Sequence, residues 1–465
     1  MRILQLSSYH ERVGGAEVYM RHLSDDLARR GHDLAHFASD PARAIDEPRL
    51  RVLQRVEYAP DKLVRDPLAT AALADFLQRV RPELVHLHNF HTFPLEILLT
   101  LSAQEVPVVH TVHDFSVLCP NSWNVRGDGS VCGGGAGAQC FEHGCTQNYP
   151  YDGRAVFVTG LRAALLRQLV DDLIAPSPFL GRLLRQHGFT PVHDLPYYVA
   201  RDEHGRAPAA TASAASSRVL FAGRLVPEKG VDVLLRAMPG VLGRFPTARL
   251  DVLGGGPEEP RLKALALELG LASAVEFSGP VPHARMRGHL EAAAVQVFPS
   301  IWCENSPLGC YEAMAAGVPM VASRIAGLPS LVVDGETGLL APPRDPRALG
   351  DCIARVLENP SLRARLAQGA RAAADRLSVD VHLDRVERIY AEALARGPRP
   401  RSSEFAAPDY IASTDALMRQ LHGVERWALD MKAHIGFLES RATPAVRLGS
   451  RVTKTLRAWR RKRDA

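Results

Sequence analysis

Two stretches in the second half of the chain carry residue types suited to charge chemistry. FAGRLVPEKG (residues 221–230) puts Arg224 and Lys229 five positions apart in a loop between an apolar run and a helical pattern. A planar guanidinium fork and a compact ammonium together suit a diphosphate. The plainer alternative is a solvated surface loop. Further on, IWCENSPLGCYEAMAAGVPMVAS places Glu304 ahead of a helical pattern and Glu312 inside it. Carboxylates accept hydrogen bonds from sugar hydroxyls, and two at different depths can hold two rings. The backbone N–H groups of the helix N-terminus lie between them. Either carboxylate alone reads as solvated. Ser306 is expected to cap this helix with Pro307 at its first position, and Gly317 with Pro319 to end it near Ala316.

Gly14–Gly15 opens a helix after the first apolar run, which allows close backbone approach to an anion or hydroxyl. The pair departs from G-x-G-x-x-G, so a nicotinamide cofactor is disfavoured. Gly254–Gly255–Gly256–Pro257 reads as a turn. No D-x-D-like carboxylate pair stands at a strand end, and no catalytic divalent metal is expected. His86, His88, His91 and His110 have no spacing that singles out a metal site. Cys119, Cys132, Cys140 and Cys145 fall in a 27-residue glycine-rich insert, with 12, 7 and 4 residues between them. The insert has too few apolar side chains to hold its shape by burial, and four thiolates around a structural zinc would supply that shape. Free thiols, disulfides and an iron–sulfur cluster are the other readings, with disulfides disfavoured in a reducing compartment.

These residues need strand ends to stand on, and the patterning supplies them. Compact apolar runs at 2–8, 33–39, 84–89, 106–114, 171–177 and 192–199 read as parallel strands, with helices at 70–81, 93–102 and 159–170 between them. APAATASAASS at 207–217 reads as a linker. Strands then follow at 218–222, 248–253, 274–278, 295–299, 320–323 and 338–341, separated by helical patterns, and 362–396 is helical with a break at Ser378. The fold class is α/β, with Rossmann-like βαβ domains at 1–206 (carrying the insert at 119–145) and 218–380. Ligands of such sheets sit beyond the strands' C-terminal ends, here in the cleft between the domains.

The chain has 465 residues, 46% of them apolar, and a net charge of +5. Nine Arg or Lys and one Asp from position 441 onward account for +8, so the remainder sums to −3. That body gives no nucleic-acid footprint. No run is long enough for a membrane span, and the charged, glycine-broken start argues against a secretory signal, so a cytoplasmic protein is expected. The segment 402–465 reads as a helical basic tail. Apolar residues at spacings of 4 and 3 over 417–442 suit a heptad seam able to pair two chains. Leu448, Val452, Leu456 and Trp459 among the cations of 441–465 suit an anionic membrane surface.

In this order and spacing, G-G-A-E at Gly14, H-D at His113–Asp114, G-R-L-x-x-E-K-G from Gly223 and the E-x7-E of Glu304 and Glu312 resemble the GT-B-fold glycosyltransferases of family 4. That retaining, nucleotide-sugar-dependent group includes bacterial cell-surface polysaccharide glycosyltransferases. The likeness covers residues 1 to about 395. It implies that Arg224 and Lys229 bind the donor diphosphate and Glu312 the nucleotide ribose. Glu304, with the backbone of Asn305, Ser306, Pro307 and Leu308, would hold donor-sugar hydroxyls. Gly15 would approach the phosphates or acceptor, and His113 would sit over the donor sugar. The helix at 381–396 would cross back to the N-terminal domain. The implied reaction moves a hexose from a UDP- or GDP-sugar to a glycan or lipid-linked glycan of the cell envelope. A sugar-nucleotide epimerase or a sugar phosphorylase on the same scaffold, or a non-enzymatic assembly scaffold, are the alternatives.

Overall fold

The computed structural model describes residues 1–10, 14–54, 64–89, 92–145, 153–200 and 216–399. The linker at 207–217 lies outside them apart from its last two residues. The tail at 402–465, with its seam at 417–442 and its basic segment, lies outside them altogether.

The N-terminal domain runs β1 (Arg2–Leu6), α1 (Gly15–Arg29), β2 (Asp33–Asp40), β3 (Ile45–Glu47), β4 (Leu50–Gln54), α2 (Pro67–Val80), β5 (Leu84–Leu87), α3 (Ile97–Ser102), β6 (Val108–Thr111), α4 (Gln139–Glu142), α5 (Gly153–Leu169), β7 (Asp172–Ala175), α6 (Pro178–Gln186) and β8 (Val192–Asp194). Its sheet is ordered β3-β4-β2-β1-β5-β6-β7-β8. Every pairing is parallel except β3 with β4. The second domain runs β9 (Arg218–Ala222), α7 (Val231–Arg244), β10 (Arg249–Leu253), α8 (Glu259–Glu268), β11 (Val275–Gly279), α9 (His283–Ala292), β12 (Val295–Phe298), α10 (Leu308–Ala316), β13 (Met320–Ser323), α11 (Leu328–Leu331), β14 (Gly338–Ala341) and α12 (Pro346–Glu358). The C-terminal helices α13 (Pro360–Arg376) and α14 (Val379–Arg396) follow. The second sheet is ordered β11-β10-β9-β12-β13-β14 and wholly parallel.

Four helices start in one way. Asp66, Ser177, Asp345 and Asn359 each accept a hydrogen bond from a first-turn N–H, and each is followed by proline. The side chain satisfies an orphan donor while proline occupies a position that needs none. The segment expected as strand 192–199 leaves the sheet after β8. Its Leu195, Tyr197 and Tyr198 enter an apolar cluster that also holds Tyr19, Val109, Leu220, Phe298 and Met314, so one continuous core spans both domains. α14 closes the pair by docking on the N-terminal domain. Arg30 reaches Asp384 at 2.6 Å and Glu387 at 2.7 Å, Tyr390 Oη lies 2.6 Å from His86 Nδ1, and Tyr19 Oη lies 2.8 Å from His382 Nε2.

The strand orders fix where a ligand can sit. In the first sheet β1 has β2 on one side and β5 on the other; in the second, β9 has β10 and β12. At such switch points the loops beyond the strands diverge and leave a crevice. Gly14–Gly15 follow β1, and Arg224 and Lys229 follow β9. His88 and Asn89 follow β5, His113 and Asp114 follow β6, and Glu304 follows β12.

Candidate active site

Lys229 closes a single 3-10 turn, Pro227–Lys229. Its Nζ donates to Glu304 Oε1 at 2.6 Å and lies 5.3 Å from the centre of the Trp302 ring. Ser300 Oγ donates to the same carboxylate oxygen at 2.7 Å, and Glu304 is only 6% exposed. Burial pushes this carboxyl up, but the Lys229 charge and the hydrogen bonds from Lys229 and Ser300 outweigh it and hold the group below its ordinary value. Glu304 is therefore an anion fixed at a strand end. Gly230 makes the approach possible. Its φ is 65°, and an added Cβ would stand 2.1 Å from the Pro299 carbonyl oxygen.

Arg224 is exposed, and among the described residues no hydrogen bond or ion pair engages it. The triple glycine does more than turn. Gly254 and Gly256 let that loop lie against the backbone of Gly223 and Leu225, with Leu225 N donating to Gly255 O at 2.9 Å. The segment carrying Arg224 is thereby fixed from below. Glu312 is a third exposed on α10 and lies 3.3 Å from His283 Nε2 at the start of α9. Ser306 does not cap α10. Its hydroxyl hydrogen-bonds to the Tyr311 hydroxyl at 2.7 Å, and Pro307 is extended at the cap position with ψ 126°. The next helical turn offers Ser306 a buried phenol, which competes successfully with the backbone N–H.

Across the cleft, an added Cβ on Gly15 would lie 3.5 Å from Leu308, so the N-termini of α1 and α10 meet. His113 is held at both ring nitrogens. Gln5 Oε1 accepts from His88 Nε2 at 2.6 Å, His88 Nδ1 lies 2.8 Å from His113 Nε2, and the Tyr197 hydroxyl meets His113 Nδ1. With the glutamine oxygen at one end, each imidazole donates from Nε2 and accepts at Nδ1. Burial, aided by His110, drops His113 to about 3, and burial drives His88 well down. Both rings are neutral. Beside them a small cleft is lined by Asn89, His113, Asp114, Ser116 and Arg162. Glu17 is buried at the head of α1, and burial raises its carboxyl.

The cysteine insert, read above as a structural zinc site, lies among the described residues. Among the described residues no three or more His, Cys, Asp or Glu are grouped to hold a metal ion, and all four cysteines are free thiols. Backbone and amide bonds help to hold the insert. Val125 and Val131 form an antiparallel bridge, Cys132 N donates to Asn124 O at 2.8 Å, and Cys145 N donates to Cys140 O at 2.9 Å. The Cys119 thiol donates to Asn121 Oδ1 at 2.8 Å. The insert also reaches the second domain. Cys303 Sγ donates to Asn124 O at 3.3 Å, and Gly129 lies against the Arg344 guanidinium. Asn305, expected to serve the donor through its backbone, turns its side chain to the N-terminal domain, where Ser177 Oγ donates to its Oδ1 at 2.6 Å.

Residues 13–196 match the model of Glycosyltransferase Family 4, and residues 210–373 match that of Glycosyl transferases group 1. A D-inositol 3-phosphate glycosyltransferase of Corynebacterium efficiens is 30% identical over 421 residues, 85% of this chain and 95% of that protein. The chain belongs to glycosyltransferase family 4. A second protein of that description, from Acidothermus cellulolyticus, is 41% identical over 186 residues, 38% of this chain and 41% of its own length. A sucrose-phosphate synthase structure from Thermosynechococcus elongatus has the same fold, with a TM-score of 0.64 and 24% identity over 85% of this chain and all of that one.

As a family 4 hexosyltransferase the chain acts on a nucleotide-sugar, and the geometry adds residues that motif spacing did not supply. Ser300 and Trp302 shape the Glu304 site, and Gln5, His88 and Tyr197 orient His113. A signal existed for His88, because V-H-L-H-N ends an apolar strand on polar atoms. Tyr197 had none, since it reaches His113 from a segment read as strand.

Proposed function

We propose that this enzyme is a retaining transferase that moves a hexose from a UDP- or GDP-sugar to a glycan or lipid-linked glycan in cell-envelope polysaccharide assembly. The observation that carries this reading is the Lys229–Glu304 pair at 2.6 Å beside the exposed Arg224, all on loops at the switch point of the second sheet. In this reading Arg224 and the remaining N–H donors of Lys229 face the donor diphosphate, Glu304 and the first backbone N–H groups of α10 hold the donor sugar, and Glu312 holds the ribose. The anomeric C–O bond to the β-phosphate breaks as the acceptor oxygen bonds the same face of that carbon. The acceptor's proton passes to the leaving phosphate oxygen. Charge developing on that phosphate is met by fixed cations and N–H groups, so no divalent ion is needed. His113, neutral and tied at both nitrogens, positions and does not take the proton.

The test is a panel of UDP-, GDP-, ADP- and dTDP-sugars with and without EDTA, read by thermal stabilisation and by the anomer formed. Glycan acceptors and inositol 3-phosphate, for which the relatives are named, make the two acceptor arms. One UDP- or GDP-sugar should stabilise the protein and give an α-product from an α-donor in EDTA. Stabilisation by none of them, or turnover that only magnesium or manganese restores, would overturn the proposal.

The basic segment 441–465 supports placing the enzyme on the cytoplasmic side of an anionic membrane. Pairing of two chains through 417–442 would double the anchor. Among the described residues no helix is long and apolar enough to cross a membrane. Full-length protein should co-sediment with anionic liposomes at low salt, and a chain ending at Ser440 should not. Equal partitioning of the two would remove the tail as anchor.

A further inference from the structure

We infer that Asn305 is a positioning residue whose carboxamide ties the loop carrying Glu304 to the N-terminal domain, so that contact between the two domains completes the hold that Lys229 and Ser300 have on Glu304. This rests on the donor-site reading above. Successive side chains of the loop point in opposite directions. Glu304 turns to Lys229 and Ser300 of its own domain. Cys303 and Asn305, on either side of it, turn to the N-terminal domain.

The Asn305 amide is fully committed there. Its Oδ1 accepts from Ser177 Oγ at 2.6 Å, and its Nδ2 lies 2.9 Å from His113 O and 3.3 Å from Val112 O. Those partners are the cap of α6 and the carbonyls just beyond β6. Asn305 is 7% exposed, so parting the domains would leave its amide in need of new partners. On the other side the backbone is pinned by its own domain. Gly327 N donates to Glu304 O at 2.8 Å, and an added Cβ on Gly327 would stand 1.8 Å from Asn305 O. The residue next to the donor-holding carboxylate therefore reports directly on whether the acceptor domain is in contact. Only a side chain with both a donor and an acceptor meets this set. Aspartate has no donor, and glutamine places its amide one methylene too far.

The decisive variant is Ser177→Asp. Aspartate caps a helix as well as serine does, so the Leu180 N–H bond that starts α6 is kept. A carboxylate, however, cannot donate to Asn305 Oδ1. Ser177→Thr keeps the hydroxyl and is the rescue, and Asn305→Asp breaks the other half of the contact. Each is measured for affinity toward UDP and GDP alone, for donor KM and kcat, and for the ratio of donor hydrolysis to transfer, with a circular-dichroism melt as the folding check.

Nucleotide affinity should stay within about threefold in Ser177→Asp, because Arg224, Lys229 and Glu312 belong to the second domain. Transfer kcat/KM should fall by about tenfold or more. The hydrolysis-to-transfer ratio should rise, because a loosened loop leaves the sugar open to water. Ser177→Thr should match the unaltered enzyme. A folded Ser177→Asp with unchanged kcat/KM and ratio would overturn the inference, as would equal impairment in Ser177→Thr. If Ser177→Asp does not fold, unchanged kinetics in Asn305→Asp overturns it instead. Failure of the unaltered enzyme to bind any nucleotide would overturn the donor-site reading, and this inference with it.

Discussion

Arg224→Ala should lower kcat/KM for the donor by about 10²–10³-fold, equivalent to about 2.7–4 kcal/mol of transition-state stabilisation. The charge arithmetic of the site singles this residue out. Lys229 is paired with Glu304 at 2.6 Å, so those two contribute no net charge to a departing nucleotide diphosphate. Arg224 stands exposed on the same loop, and in the proposed site it would supply the positive excess. It also supplies geometry, since a guanidinium fork can meet two phosphate oxygens at once. Arg224→Lys should recover part of the loss, keeping the charge and losing the fork. Steady-state kinetics with the donor identified by the panel above is the measurement. Because Arg224 is exposed, its loss should leave the melting temperature nearly unchanged. An unchanged kcat/KM would remove Arg224 from the diphosphate site.

Much of this fold could be read from the chain because its central strands are buried on both faces. The expected strands at 218–222, 320–323 and 338–341 coincide with β9, β13 and β14, each a nearly unbroken apolar run between turn signals. The hairpin of β3 and β4 was not legible. It is short, half-exposed and at the sheet edge, so nothing forces its residues to be apolar. α6 was legible in principle through the Ser177–Pro178 start and through Leu180, Leu183 and Leu184 at helical spacing, but it is only nine residues long.

The site divides along the same line. Motif spacing located Arg224, Lys229 and Glu304 on loops and Glu312 in a helix of one domain, because each lies just past a strand or in the helix after it. It could not show that Lys229 and Glu304 bond each other across 75 positions, or that Ser177 meets Asn305 across 128. The first is a product of packing within the second domain and the second of contact between the two domains. The cysteines are a separate case. Four thiols in a glycine-rich insert suggest that a metal supplies rigidity. The structure adds an antiparallel bridge, asparagine side chains and contacts with the second domain, none of which the spacing of the thiols could show.

Lys229→Met should be the variant with the broadest effect, because it removes a proposed diphosphate ligand and leaves a buried carboxylate without its partner. Breaking a buried ion pair from one side costs about 3–5 kcal/mol. In the intact protein the Glu304 carboxyl is held below its ordinary value despite burial. A group depressed in this way adds stability above the unfolded-state value, near 4.5, and that contribution is lost as pH falls through the lower folded value. Without Lys229, burial is the largest influence left and the sign reverses. The folded carboxyl should then be raised by burial, favour the fold while protonated, and lose stability as pH rises into the neutral range. The melting-temperature gap between Lys229→Met and the unaltered enzyme should therefore be small near pH 4 and widen toward pH 7. Adding Glu304→Gln should close much of that gap, since a neutral amide needs no cation, while kcat/KM stays low because both donor contacts are missing. Thermal melts across that pH range, run on the single and double variants, test both parts. A gap that does not change with pH would mean that Lys229 does not hold the charge on Glu304.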